Sequence, residues 1–142
     1  MSAATAHAPE ISTGHDVVVG IDTHKLTPMA VALGANGGWL GSLKLDAKRS
    51  GYQELIRWAA AFGSNPVFAV EGTGCYGAGL CRALQAAGMT VVEVNRPDRS
   101  TRRRIGKDDT IDAEAAARAC IAGTASVIPK AGDALVEMIR ML

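Results

Sequence analysis

The chain has 142 residues, 48% of them hydrophobic and 20% charged, a composition that suits one globular domain with a real core. Only 4% is aromatic, which excludes long rows of rings stacking on bases, and the three cysteines (Cys75, Cys81, Cys120) form neither a disulfide framework nor a paired zinc motif. The net charge of +1 conceals a segregation: Arg96, Arg99, Arg102, Arg103, Arg104 and Lys107 supply six of the 15 basic residues, leaving nine basic against 13 acidic residues elsewhere, as a local polyanion contact would have it.

Residues 1–15 are small and polar without periodicity and are expected to form a disordered lead-in. They carry no basic start followed by an apolar run, and no window reaches the roughly 18 apolar residues of a membrane span. A reducing cytoplasm with no membrane contact is the expected setting. The folded domain is expected over residues 16–123, with residues 124–142 a linker and the start of a helix.

Val17-Val18-Val19-Gly20-Ile21 reads as a strand buried on both faces, and it delivers Asp22 to its end. Two further strands, at 29–33 and 39–45, flank the turn Gly34-Ala35-Asn36-Gly37-Gly38 and suggest an antiparallel meander. Tyr52, Leu55, Ile56 and Ala59 follow helical spacing, so a helix is expected from an N-cap at Ser50 to about Phe62, closed by Gly63. Val67-Phe68-Ala69-Val70 is a fourth strand that hands over a second acid, Glu71. A glycine-rich turn leads into a helix closed by Gly88, and residues 90–94 form a fifth strand. After the basic connector, residues 109–121 are an alanine-dominated helix, with Ala115, Ala116 and Ala119 expected on the side of Asp112. Residues 123–132 read as loop, and Leu135, Met138, Ile139 and Leu142 restart an apolar stripe that is expected to be cut off in mid-helix and to need a partner, either more of its own chain or another subunit.

Three acids lie within five residues in Lys107-Asp108-Asp109-Thr110-Ile111-Asp112-Ala113. Asp109 and Asp112 sit on neighbouring positions of one helical face, where they can cap the helix and complement its dipole or serve as a ligand pair. If Asp22 and Glu71 end neighbouring parallel strands and the last helix packs across by its alanine face, four carboxylates converge. Such a cluster is costly without divalent cations, and oxygen donors suit Mg²⁺ or Mn²⁺. Two ions about 4 Å apart can activate a nucleophile and stabilise a leaving oxygen in phosphoryl transfer.

Two other motifs compete. Gly72-Thr73-Gly74-Cys75-Tyr76-Gly77 has the spacing of a dinucleotide fingerprint, in which Gly72, Gly74 and Gly77 would admit a pyrophosphate and Glu93 would take the ribose hydroxyls. Glu71 directly before it would crowd the phosphates. Gly20-Ile21-Asp22-Thr23-His24 is similar to the phosphate-binding strand of actin-like ATPases but lacks their Gly-Thr hairpin. The cysteines have no clear His partner and are expected to pack rather than react.

The segments Gly20-Ile21-Asp22-Thr23-His24-Lys25, Val70-Glu71-Gly72-Thr73-Gly74-Cys75-Tyr76-Gly77 and Gly106-Lys107-Asp108-Asp109-Thr110-Ile111-Asp112-Ala113, in this order, resemble the DEDD-type transposases of the insertion-sequence 110 family, described as bridge-RNA-guided DNA recombinases. The resemblance covers roughly residues 17–123. It implies an α/β, RNase H-like (RuvC-like) fold, related to Holliday-junction resolvases, with a five-stranded mixed sheet and helices on both faces. It also implies that Asp22, Glu71, Asp109 and Asp112 form a metal-binding catalytic tetrad for two Mg²⁺ or Mn²⁺ ions. The family pattern sets its late acids three apart with Ala after the second, which selects Asp109 and Asp112 and leaves Asp108 as a cap. The family carries its nucleophilic serine on a C-terminal domain that this sequence lacks, so complete strand exchange is not expected of this chain alone. DNA and a guide RNA are the implied partners, with the basic run from Arg96 to Lys107 as the contacting surface. A non-catalytic nucleic-acid-binding and oligomerising module is the alternative.

Overall fold

The β-branched run at the start of the domain has no polar face to give to water, and it becomes the interior strand of a sheet. The computed structural model describes residues 14–23, 27–71, 77–94, 109–123 and 125–127. In chain order these form β1 (Val17–Asp22), β2 (Met29–Gly34), β3 (Trp39–Lys44), α1 (Arg49–Ala60), β4 (Pro66–Glu71), α2 (Ala78–Ala86), β5 (Thr90–Val94), α3 (Asp109–Ile121) and β6 (Ala125–Val127). The sheet order is β3-β2-β1-β4-β5-β6. The meander β1-β2-β3 is antiparallel, β1 pairs with β4 and β4 with β5 in parallel, and β6 returns antiparallel beside β5.

All five expected strands are present, and the structure adds a sixth. Residues 125–127, read from sequence as part of a linker, pair as Val92↔Val127, Glu93↔Ser126 and Val94↔Ala125. The strand exists because β5 offers an open edge, a reason that lies in another part of the chain. Gly14 and His15, expected in the lead-in, are described and make contacts with the fold. Asp16 accepts hydrogen bonds from the backbone N–H groups of Ser64 and Asn65, both at 3.0 Å, and the Asn65 side chain donates to the Gly14 carbonyl at 3.0 Å, so residues 14–16 are tied to the start of β4.

Side chains alternate between the two faces of the sheet and build two cores. One face, with Val17, Val19, Ile21, Phe68 and Val70, packs under Leu55 and Ala59 of α1 and Leu80 and Leu84 of α2. The other, with Val18, Val31, Leu33, Val67, Ala69 and Val92, packs under Ala113, Ala116, Ala117 and Cys120 of α3. Helices thus cover both faces.

Helix ends follow local chemistry, with one correction. α1 starts upstream of Ser50, with Lys48 at the N-cap in an extended conformation and no side-chain cap. The loop before it folds back, Lys48 N–H donating to the Asp46 carbonyl at 2.8 Å, and that carbonyl occupies the space a Cβ on Gly51 would need. This contact fixes the start of α1 more firmly than the cap preference of a serine. α2 ends as expected at Gly88, whose φ of +83° lets its N–H reach Gln85 and that of Met89 reach Leu84, both at 3.0 Å.

Candidate active site

β1 and β4 stay in register from Val17↔Pro66 to the final pair, Asp22↔Glu71. Val18, Val67 and Ala69 face α3, and by alternation so do Gly20, Asp22 and Glu71. Both acids are buried, Asp22 at 6% exposure and Glu71 at 2%, and the Glu71 carboxylate oxygens are sealed from solvent. Strands in a sheet lie roughly 4.8 Å apart, so two carboxylates stand side by side where water cannot separate them. They repel each other, and a hard cation held between them removes that cost. The donor set fits Mg²⁺ or Mn²⁺ by its chemistry, being oxygen only and anionic.

Topology gives this end of the sheet its opening. From the end of β1 the chain turns to β2 on one side, while from the end of β4 it crosses by α2 to β5 on the other. Open α/β sheets bind ligands at such a divergence, outside the carboxyl ends of the strands.

The third contributor is α3, and Gly20 sets how near it comes. A Cβ on Gly20 would collide with the Ala113 carbonyl oxygen and stand 2.5 Å from Ala117 N, so helix backbone rests on strand backbone. A glycine within a strand serves such close approaches. Further along the helix, the Arg118 guanidinium reaches 3.5 Å from where a Cβ on Gly37 would stand, beside the turn that follows Gly34, the partner of Val17. α3 therefore runs opposite to β1, and its first turn lies toward the Asp22 end. The buried stripe is Ala113, Ala116, Ala117 and Cys120, whereas Ala115 and Ala119, expected to face inward, are only half-buried. Helical spacing carries this stripe back to position 109, with Asp112 on its flank.

Among the sequence candidates, Asp22 and Glu71 are thus brought together, and Asp112 is half-buried on the helix that covers them. Asp109 is the first residue of α3, and its side chain lies outside the described residues. Among the described side chains, no group of three or more His, Cys, Asp or Glu is placed to hold a metal ion. The basic residues Arg96, Arg99, Arg102, Arg103, Arg104 and Lys107 lie outside the described residues, as do Asp108, His24, Lys25, Gly72, Gly74 and Cys75 and the apolar stripe of residues 135–142.

The dinucleotide alternative fails on strand direction. The sheet order matches that of dinucleotide-binding folds, but β2 returns as an antiparallel hairpin partner of β1 where those folds require a parallel crossover. Gly77 is the N-cap of α2. Burial pushes the Cys81 thiol up to about 11, with Glu93 adding to the effect, and the Cys120 thiol up to about 12, which makes both packing groups. Among the described residues, no helix is long and apolar enough to cross a membrane.

Two residues, quoted above within sequence motifs, have a structural role that the motifs do not give them. Gly20 had a signal, a glycine inside a β-branched run, which marks close backbone approach. Thr23 had none. It is 1% exposed, and its hydroxyl donates to the Glu71 carbonyl at 2.9 Å, a bond spanning 48 positions.

Comparison with known proteins gives two findings. Residues 19–142 match the model of the IS110-type DEDD transposase family, described as "Transposase". The fold is similar to that of RuvC from T. thermophilus, solved in complex with a Holliday junction substrate, with a TM-score of 0.55 and 16% sequence identity over 80% of this chain and 100% of that one. No curated protein matches this chain.

Proposed function

Since the chain belongs to the IS110-type DEDD transposase family and carries a RuvC-like fold, we propose that it is a metal-binding catalytic domain acting in DNA strand cleavage and exchange. The observation that carries this reading is the buried register pair of Asp22 and Glu71 at the divergence point of the sheet.

In this reading Asp22, Glu71, Asp109 and Asp112 hold the ions. Mg²⁺ or Mn²⁺, bound as a pair, would supply Lewis-acid stabilisation of the charge that develops when a phosphodiester bond is exchanged. The protein's own part is arrangement. The main chains of Asp22 and Glu71 are fixed as register partners by the β1–β4 ladder, so both side chains start from the same end and face of the sheet. The first turn of α3 brings Asp112 and the backbone of Asp109 to the same end, at a separation set by the contact at Gly20. Burial of the pair keeps bulk water from screening the charges. The attacking hydroxyl would come from a serine on a further domain, and the part proposed for the residues of this chain is to hold metal and nucleic acid.

Nucleic acid would approach from the same end. β5 is parallel to β4, with Val94 the partner of Glu71, so the basic run leaves the sheet at the end where the acids stand. It rejoins the fold at the start of α3, at that end again. Val94 and the backbone of Asp109, the described residues that flank Arg96, Arg99, Arg102, Arg103, Arg104 and Lys107 in sequence, thus both lie at that end. These basic residues are the proposed contacts to DNA and to a guide RNA. The branched junction bound by the RuvC neighbour makes a four-way DNA the natural first substrate to test. Association into an oligomer through the stripe Leu135, Met138, Ile139 and Leu142 completes the proposal, with residues 16–123 and the added edge strand β6 forming the catalytic domain.

Calorimetric titration with Mn²⁺ tests the site. The parent chain is expected to take up metal, Asp22→Asn to lose uptake, and Asp112→Ala to weaken it at least tenfold; equal uptake by all three would sink the tetrad. A non-catalytic nucleic-acid-binding module is the second reading, motivated by the basic run from Arg96 to Lys107. Under it, exchanging Arg102, Arg103 and Arg104 for Ala flattens the salt dependence of DNA and RNA binding while metal has no effect on it.

A further inference from the structure

We propose that Thr23 is a positioning residue for the Asp22–Glu71 pair, clamping the two strand ends at the separation a divalent cation requires. The proposal rests on the metal-site reading above and adds to it a residue that touches neither metal nor substrate.

The β1–β4 ladder stops at Asp22↔Glu71. This pair sets two buried acids beside each other, so the separation of the strand ends matters most here. Thr23 is the next residue of β1's chain. Its hydroxyl donates to the Glu71 main-chain carbonyl at 2.9 Å, in a site where Thr23 itself is 1% exposed. The side chain thus ties the two chains together one residue beyond that pair. The bond grips the main chain of the residue that carries the carboxylate, so it fixes the direction of the Glu71 Cα–Cβ bond relative to β1. A β-branched threonine suits this task, since its hydroxyl is held in few rotamers and its methyl group excludes water from the bond.

Its consequence is pre-organisation. Without the clamp, the metal-free pair relaxes outward, and each binding event must draw the strand ends together again. Loss of the hydroxyl is therefore expected to weaken metal binding in folded protein. A purely structural threonine would lower stability and leave the affinity of the folded protein unchanged.

The experiment is Mn²⁺ titration of the full chain, followed by calorimetry and by the electron paramagnetic resonance signal of free Mn²⁺. Thermal midpoints are recorded for every variant. Thr23→Val removes the hydroxyl at constant shape, Thr23→Ala removes it with no risk of a clash, and Thr23→Ser retains the donor. Val and Ala are expected to bind Mn²⁺ about three- to tenfold more weakly, the scale of one hydrogen bond, and Ser to stay within about twofold of the parent by the same scale. If all three bind as the parent does while Asp22→Asn loses binding, the clamp is overturned and the metal site stands. A Ser variant as weak as Val likewise overturns the clamp, as does a drop in thermal midpoint with affinity unchanged. If Asp22→Asn itself binds as the parent does, the metal reading falls and takes the clamp with it.

Discussion

β1 carries an aspartate at each end, and the two could hardly be treated more differently. Asp16, just before the strand, is exposed, and the backbone N–H groups of Ser64 and Asn65 donate to its carboxylate at 3.0 Å. The Asn65 N–H above all holds its carboxyl below the usual value. Asp22, at the other end, is buried beside a second carboxylate. The same side chain is a fastening at the end where these backbone donors meet it, and at the other end it is set against a second acid. The contrast separates the end of the sheet that secures the fold from the end that bears the proposed chemistry, and stability there is expected to be traded for function.

The sharpest break in this comparison is steric. Each end has a glycine with no room for a Cβ: Gly20 faces the backbone of Ala113 and Ala117, whereas Gly63 faces side-chain atoms of Asp16 and Val17 at 2.7 Å. Backbone cannot step aside as a side chain can. Gly20→Ala is expected to cost about 3 kcal/mol and Gly63→Ala about 1 kcal/mol, within the range for overpacking. Denaturant unfolding of both variants measures the difference, and equal losses would remove the distinction.

A smaller effect of opposite sign is expected at the acids. In buffer containing a chelator, Asp22→Asn removes one of two neighbouring buried charges and should raise stability by about 1 kcal/mol, as a repulsion relieved. With Mn²⁺ present the order reverses, because only the parent gains from binding. A destabilised Asp22→Asn protein without metal would mean the pair is not under strain.

The least effect belongs to Asp16. Its folded-state pKa lies below the unfolded value, so its contribution is complete above the unfolded value near 3.8 and disappears as the pH falls through the folded one. Asp16→Asn should flatten the acid side of the stability profile below about pH 4 and leave the neutral side little altered. An unchanged acid limb would show that the bonds to Ser64 and Asn65 contribute nothing to folding.

What could be read in advance follows the range of the interactions involved. The β-branched runs and the spacing of Tyr52, Leu55, Ile56 and Ala59 are local signals, and the strands and helices they announce are all present. Asp22 and Glu71 could be paired from sequence because strand-ending acids on parallel neighbours must meet. The sixth strand could not, since Ala125–Val127 has no strand signal of its own and acquires one only beside β5. The inward face of α3 was misjudged by about one position, because a helix of alanines carries little contrast between its sides, and it is Gly20 that selects Ala113 and Ala117. The cap at Ser50 lost to a loop contact for the same reason. Thr23 depends on a partner 48 residues away and had no local mark.

The seat of α3 on Gly20 has one more consequence. Most helices stand off a sheet on a cushion of side chains, whose rotamers and replacements let the spacing drift over evolutionary time. Here main chain sits on main chain, and the gauge between strand and helix has no adjustable part. Sequence change in the surrounding apolar layer can be absorbed without moving the acids, so the layer is free to diverge while the glycine is not. Within a set of related chains, variation should therefore gather around position 20 and spare it.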